Sequence, residues 1–365
     1  MLAWMLIAAL KPLELRLRRL LLSGHGPFTG QLITSPADAL PLGDAPRILF
    51  IRAERIGDVL VSVPVLRAVR RRYPRARLDL LVSTGNYGVR SAVAPWIDRV
   101  WRYDKRVAPT IGLVRQLRAA RYDLAVDLSH DASVTSRLAA RWSGAPRILG
   151  ILHQEPAHLT HAVPALDRRR VHIVRRIGEL LLAFGLDPES EDLHLEYPVT
   201  DADRALARAR LPRFTRSYLL GVNVSARGPE KQWGRENFAE AIRDLLRLDP
   251  RFEAVVCGSP EDREQVEAIA AATGAAAVPP LGSFHEFAAV INACDLLLTP
   301  DTCTVHLAAA WRIPLVGLFH ADPAMLPWTP YMSPHRAIVH QGPSAEVPPI
   351  RVVQAMADLL GECFP

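Results

Sequence analysis

Short apolar runs rich in β-branched residues alternate with helix-patterned segments along most of this chain, and that alternation admits few folds. The run RILFIR (47–52) has the composition of a buried strand, and LDLLVS (78–83), YDLAVDLS (122–129) and RILGIL (147–152) repeat it. Helical stretches at 58–72, 110–120 and 133–142 lie between them. Strands that are apolar throughout belong to parallel sheets covered on both faces. Helices between strands supply the crossovers such sheets need. The style restarts at YLLGVNVS (218–225), with strands at 252–259, 295–300 and 314–320 and helices at 234–248, 261–274, 284–294 and 304–312. A chain of 365 residues has room for two such units. The expected fold is α/β: two Rossmann-like, doubly wound domains facing across a cleft. Ligands in such sheets sit beyond the carboxyl ends of the strands, often at helix N-termini.

Charge is informative in its make-up. The net charge is +6, and 41 of the 44 basic residues are arginine; Lys11, Lys105 and Lys231 are the only lysines. A compositional bias explains most of this, so a lysine that persists invites a reason. The four cysteines form no Cys-x-x-Cys pair. A disulfide scaffold or structural zinc site is therefore not expected, and a reducing compartment fits. No nucleic-acid-binding signature accompanies the basic balance, so nucleic acid is not an expected partner.

The first residues stand apart. An apolar run over 1–10 is too short to span a bilayer, which takes roughly twenty residues. It precedes KPLELRLRRLLL, where arginines interleave with leucines. A secretory signal would carry its positive charge first. The order here reads as an interfacial amphipathic helix over 1–22 attracted to anionic lipid, or as a helix packed on protein. Residues 23–46, rich in proline and glycine, read as a tether.

Several activities lose their support. Gly-x-Gly-x-x-Gly is absent after the first strand, no Gly-x-x-x-x-Gly-Lys-Ser/Thr loop occurs, and no Gly-x-Ser-x-Gly elbow is present. Asp201-Ala-Asp203 is formally an Asp-x-Asp metal motif, but it opens a helical stretch, where acids cap. His153, His158 and His161 lie in a proline-containing stretch without supporting cysteines, and are not expected to bind metal.

Three segments carry a pattern: ILFIRAERIGDVLVSVPVLRAVRRR, GVNVSARGPEKQWGRENFAEAI and LLLTPDTCTVHLAAAWRIPLVGLFHADP. With RRVHIVRRIGELLLAFGL (169–186), their order and spacing resemble glycosyltransferase family 9, the ADP-heptose:lipopolysaccharide heptosyltransferases. The resemblance covers about residues 47–345. It implies an inverting, metal-independent transferase of GT-B architecture, with no cofactor.

Residue by residue, the resemblance makes Asp58 of the Gly-Asp pair the general base. A carboxylate within reach of an attacking sugar hydroxyl can take its proton. Capping the following helix is the competing reading. Lys231 of Lys-x-Trp would contact donor phosphates, where an ammonium stabilises a diphosphate leaving group. Asp301, Thr302 and His306 match the Asp-Thr-x-x-x-His motif at a helix N-terminus, a ready site for a pyrophosphate. Asn223, Ser225, Glu261 and Asp262 fall where the family meets its donor. Arg52 and Arg55 are candidate contacts to a phosphorylated acceptor. The family's glycines are replaced by Cys303 and His320.

The implied partners are a nucleotide-diphosphate-sugar donor (ADP-heptose), a lipid-linked or phosphorylated saccharide acceptor such as lipopolysaccharide core, and an anionic inner-membrane surface. The implied place is the cytoplasm, peripheral on the inner face of the membrane. Another nucleotide sugar, a protein acceptor, or a non-catalytic membrane-associated module of the same fold remain open. The expected division is an N-terminal helix and tether (1–46), an acceptor domain (47–200), a nucleotide-sugar domain (201–345), and a C-terminal helix (346–365) placed to pack back on the first domain.

Overall fold

The computed structural model describes residues 28–131, 133–153, 158–211, 214–321 and 328–364. The helix expected over 1–22 lies outside these residues. The first half runs β1 (Gln31–Leu32), β2 (Arg47–Ile51), α1 (Ile56–Leu60), α2 (Val63–Arg72), β3 (Arg77–Ser83), α3 (Arg90–Val93), β4 (Arg99–Tyr103), α4 (Val107–Ala120), β5 (Leu124–Asp127), α5 (Val134–Ser143), β6 (Arg147–Ile151), β7 (His161–Val163) and α6 (Ile173–Gly178). The helix read over 58–72 is thus two helices. Pro64 opens the second, and a residue with no N–H suits a first turn and not a helix interior.

The second half runs α7 (Asp201–Arg210), β8 (Tyr218–Asn223), α8 (Arg235–Leu248), β9 (Phe252–Cys257), α9 (Arg263–Thr273), β10 (Ala276–Ala277), α10 (Phe284–Asn292), β11 (Leu296–Pro300), α11 (Cys303–Trp311), β12 (Leu315–His320), β13 (His335–His340) and α12 (Pro349–Cys363). Two sheets result, ordered β1-β7-β6-β5-β2-β3-β4 and β10-β9-β8-β11-β12-β13. Every strand pair in both is parallel. Each sheet reverses its winding once, between β2 and β5 and between β8 and β11. Such switch points open a crevice at the strands' carboxyl ends.

Strand periodicity explains the layering. Ile48 and Phe50 of β2 join one core, while Leu49 and Ile51 join the opposite one with Leu81 and Leu117. Leu220 and Val222 of β8 face Phe238 and Met356. Both sheets are therefore buried on both faces, as continuous apolar strands require.

Three expectations need correction. Residues read as the end of a tether are packed: β1 pairs with β7, Ile33 and Leu40 are buried, and the Leu40 N–H donates to the Ala183 carbonyl at 2.9 Å. The C-terminal helix α12 does not return to the first domain. Its apolar face, Val352, Met356 and Leu359, fills the second domain's own core against α8. Strand β4 lacks the continuous apolar run of the others: two of the five residues of RVWRY are arginines, as an edge strand tolerates.

Candidate active site

The β2–α1 turn places Asp58. Its carboxylate is buried, accepting the Arg55 N–H at 2.9 Å on Oδ2 and Arg52 Nη2 at 3.2 Å on Oδ1. The first bond closes a helix start, so the capping reading of Asp58 is real. Arg52 corrects an expectation. It is fully buried, with Nε on the Asp58 carbonyl at 3.0 Å and Nη1 on the Leu128 carbonyl at 2.6 Å. Glu54 Oε2 stands 3.9 Å from Nη1, while Oε1 accepts the hydroxyls of Ser129 and Ser136. A guanidinium so enclosed holds Asp58 in place and presents no face to an acceptor. Arg55, by contrast, is exposed at the same edge.

The other wall is built at the second switch point. Asn223, at the end of β8, donates through Nδ2 to Thr299 Oγ1 at 2.9 Å and to Thr302 Oγ1 at 3.2 Å. Thr302 caps α11, its hydroxyl accepting the Thr304 N–H at 3.3 Å. Lys231 Nζ donates to Asp301 Oδ2 at 2.6 Å, so two residues picked from distant motifs form one ion pair. Trp233 explains the spacing of Lys-x-Trp. It is fully buried, edge-on to Phe238, with Nε1 on the Val347 carbonyl at 2.8 Å, and it anchors the loop that carries Lys231. Asp262 accepts Ser225 Oγ at 2.5 Å and Ser259 Oγ at 2.8 Å, binding the ends of β8 and β9 together. Glu261 beside it is exposed.

His306 joins the walls. A Cβ at Gly57 would lie 3.0 Å from His306 Cδ2 and 3.9 Å from Cys303 Cα, so any side chain there would press on the His306 ring where α1 meets α11. Burial pushes the His306 imidazole down to about 4, opposed by the charges of Asp301 and Asp58. Its Nδ1 is buried without a hydrogen-bond partner among the described residues. The His306 ring also lies 6.0 Å from Trp328. Cys303 is at the start of α11, where burial pushes its thiol up to about 12, far from a nucleophile's range. His320 ends β12 edge-on to His340 at 5.8 Å.

Two residues of the 169–186 segment, whose histidine-led helix the family resemblance had indicated, carry features that the sequence did not assign. Arg176 on α6 is buried, and among the described residues its guanidinium has no hydrogen-bond or ion-pair partner; burial lowers its pKa. One arginine among forty-one in sequence carries no mark of this. His172 caps α6 through Nδ1, which accepts the Val174 N–H at 3.2 Å, and Nε2 reaches the Thr329 carbonyl at 2.9 Å. The carbonyl can only accept, so the proton sits on Nε2 and the ring is neutral. The Asp201–Asp203 pair begins α7, where Asp203 closes a capping box with Thr200 at 2.8 Å. Among the described residues no group of three or more His, Cys, Asp or Glu is arranged to hold a metal.

His306, which is buried, and His172, which is partly so, set an acid limit. Burial lowers His172 and His306 from 6.5 to about 4. As pH falls below 6.5 the unfolded chain takes up protons that the folded one refuses, so stability drops until about pH 4 and then levels. The loss is on the order of 3 kcal/mol per histidine. Urea unfolding at pH 7.5 and pH 5 should show it, and His172→Gln should remove its share. Equal stability at both pH values would refute the assignment.

Comparisons with known proteins bear on the family and the fold. The family model described as glycosyltransferase family 9 (heptosyltransferase) matches residues 111–347. Lipopolysaccharide heptosyltransferase 3 of Escherichia coli K12 is 26% identical over 292 residues, covering 75% of this chain and 83% of the relative. The crystal structure of a family 9 glycosyl transferase from Veillonella parvula superposes with a TM-score of 0.75 at 21% identity, covering 89% of this chain and 99% of that one. The E. coli ADP-heptose LPS heptosyltransferase II gives 0.68 at 23% identity, covering 87% and 99%. Both share the GT-B-type fold of two Rossmann-like domains.

Proposed function

The chain belongs to glycosyltransferase family 9, an enzyme family, and from that premise we propose that it transfers heptose from ADP-heptose to a saccharide of lipopolysaccharide core with inversion and without a metal. Its relatives' names point to that donor and acceptor. The observation that carries the reading is the meeting of the two walls. Gly57, beside Asp58 in the first domain, packs on His306 of the second-domain helix that Thr302 caps, and Asp301 at that helix start pairs with Lys231.

In this reading the acceptor hydroxyl attacks the anomeric carbon from the side opposite the diphosphate. The C–O bond to the diphosphate breaks as the new glycosidic bond forms, and the hydroxyl proton passes to Asp58. A carboxylate offers about four lone-pair sites, so two hydrogen bonds leave room for the hydroxyl. The ammonium of Lys231 has three N–H donors; one engages Asp301, and the others meet the leaving diphosphate with the free N–H groups of α11. Thr302 and Asn223 shape that end, Ser225 and Asp262 hold its far wall, and Glu261 faces the nucleoside or sugar. Arg176 and Arg55 receive the acceptor's anionic groups. The acceptor is lipid-linked, and the enzyme works peripherally on the inner face of the cytoplasmic membrane.

The test is donor binding. Calorimetric titration with ADP should give an affinity that EDTA leaves unchanged. Lys231→Ala should weaken it by roughly 10- to 150-fold, the worth of a charged hydrogen bond of about 1.5–3 kcal/mol. A strict magnesium requirement, or wild-type affinity in Lys231→Ala, would overturn this assignment.

A further inference from the structure

We propose that the exposed face of α4 is the surface on which the protein docks to an anionic lipid bilayer; this rests on the reading of a lipid-linked acceptor. The face runs along Val107, Ile111, Arg115 and Arg118, spaced as one helical stripe, while Leu113, Leu117 and Ala120 point into the core. Val107 is 76% exposed and Ile111 50%, two of the few large apolar side chains the protein leaves in water. Lys105 and Arg106 stand immediately before them, and Arg115 behind.

The charge of this stretch is one-sided. Residues 99–121 hold seven cations and one carboxylate, Asp104, a balance equal to the +6 of the whole chain. Asp104 is taken by Arg106 at 2.5 Å, whereas Lys105 and Arg115 have no ion-pair partner among the described residues. The helix also breaks a local rule. Its first turn holds no acid and its cap residue, Arg106, makes no side-chain cap bond, so with Arg106 paired to Asp104 the charge of Lys105 is left beside the positive end of the macrodipole. A cost accepted at an exposed site points to a ligand, and an apolar tip ringed by cations matches a headgroup layer over acyl chains. Lys105 thereby gains the reason that a lysine in this arginine-rich chain calls for.

Position agrees with the chemistry. Helix α4 starts at the carboxyl end of β4, the same sheet edge that carries Asp58 after β2. Only β3 lies between those strands, so β4, from which the helix sets out, is about 10 Å across the sheet from the candidate base's strand. A bilayer meeting this rim would present a membrane-borne acceptor to the cleft.

The full chain should pellet with vesicles of equimolar phosphatidylglycerol and phosphatidylcholine and not with phosphatidylcholine alone. Lys105→Gln with Arg115→Gln should weaken that binding about 30-fold. Val107→Asp with Ile111→Asp should weaken it at least as much. Both pairs are exposed, so melting temperature and turnover of a soluble, deacylated acceptor should stay at wild-type values. Unchanged vesicle binding in either pair would overturn the proposal, as would a dimer in light scattering that these variants dissolve, since the occupant would then be a second copy. Vesicle binding with no turnover of any acceptor by the wild type would count against the transferase reading and leave the docking face standing.

Discussion

Asp58→Asn is expected to lower turnover by about 10²–10⁴-fold, the range a positioned general base contributes. The amide keeps an oxygen for the Arg55 N–H, so the helix start survives. Arg52 keeps its bonds to the Asp58 and Leu128 carbonyls, with Glu54 nearby to offset its charge. ADP affinity should not change, because in the proposed reading the diphosphate lies against β8, β11 and the Lys231 loop, on the wall opposite Asp58. Initial rates with ADP-heptose beside an ADP titration separate the two effects. Full activity in Asp58→Asn would place the base elsewhere.

What the sequence revealed follows from how local each signal is. The strands lining the switch points were legible because both faces are buried, and RILFIR or LVGLFH can hardly be anything else. Asp58, Lys231, Asp301 and Thr302 were singled out by their match to the family's motifs, each of which is written within a few residues. Their contacts with one another were not. The Lys231–Asp301 bond spans seventy positions, and the meeting of Gly57 with His306 spans two domains. Nothing within the Gly-Asp pair says that its glycine exists for a histidine in another domain. The packing of residues 31–40 was hidden by prolines, which mark loops whether or not those loops lie against a core.

Arginine was where reading by residue type failed. In a chain with forty-one of them, Arg52, Arg55 and Arg176 look alike. Folding separates them: one is enclosed by its partners, one exposed, one buried with its guanidinium unpaired among the described residues. Burial with full hydrogen bonding marks Arg52 as a residue that holds structure.

That difference gives Arg52→Met a large and specific outcome. Removing the guanidinium leaves the buried Asp58 carboxylate with the Arg55 N–H alone, and takes the Leu128 carbonyl's donor away. Breaking a buried pair by deleting one partner costs about 3–5 kcal/mol, because an uncompensated charge stays behind. The melting temperature should fall by on the order of 10 °C. Adding Asp58→Asn to Arg52→Met should restore much of that loss, since the carboxylate that Arg52 neutralises is then gone, and the cycle of four proteins isolates the coupling between the two side chains. A residue that only bound the acceptor would behave otherwise: Arg52→Met would raise the KM for acceptor at unchanged stability, and the cycle would show no coupling. If the variant melts like the wild type, the enclosure of Arg52 does not hold Asp58 and the acceptor role returns.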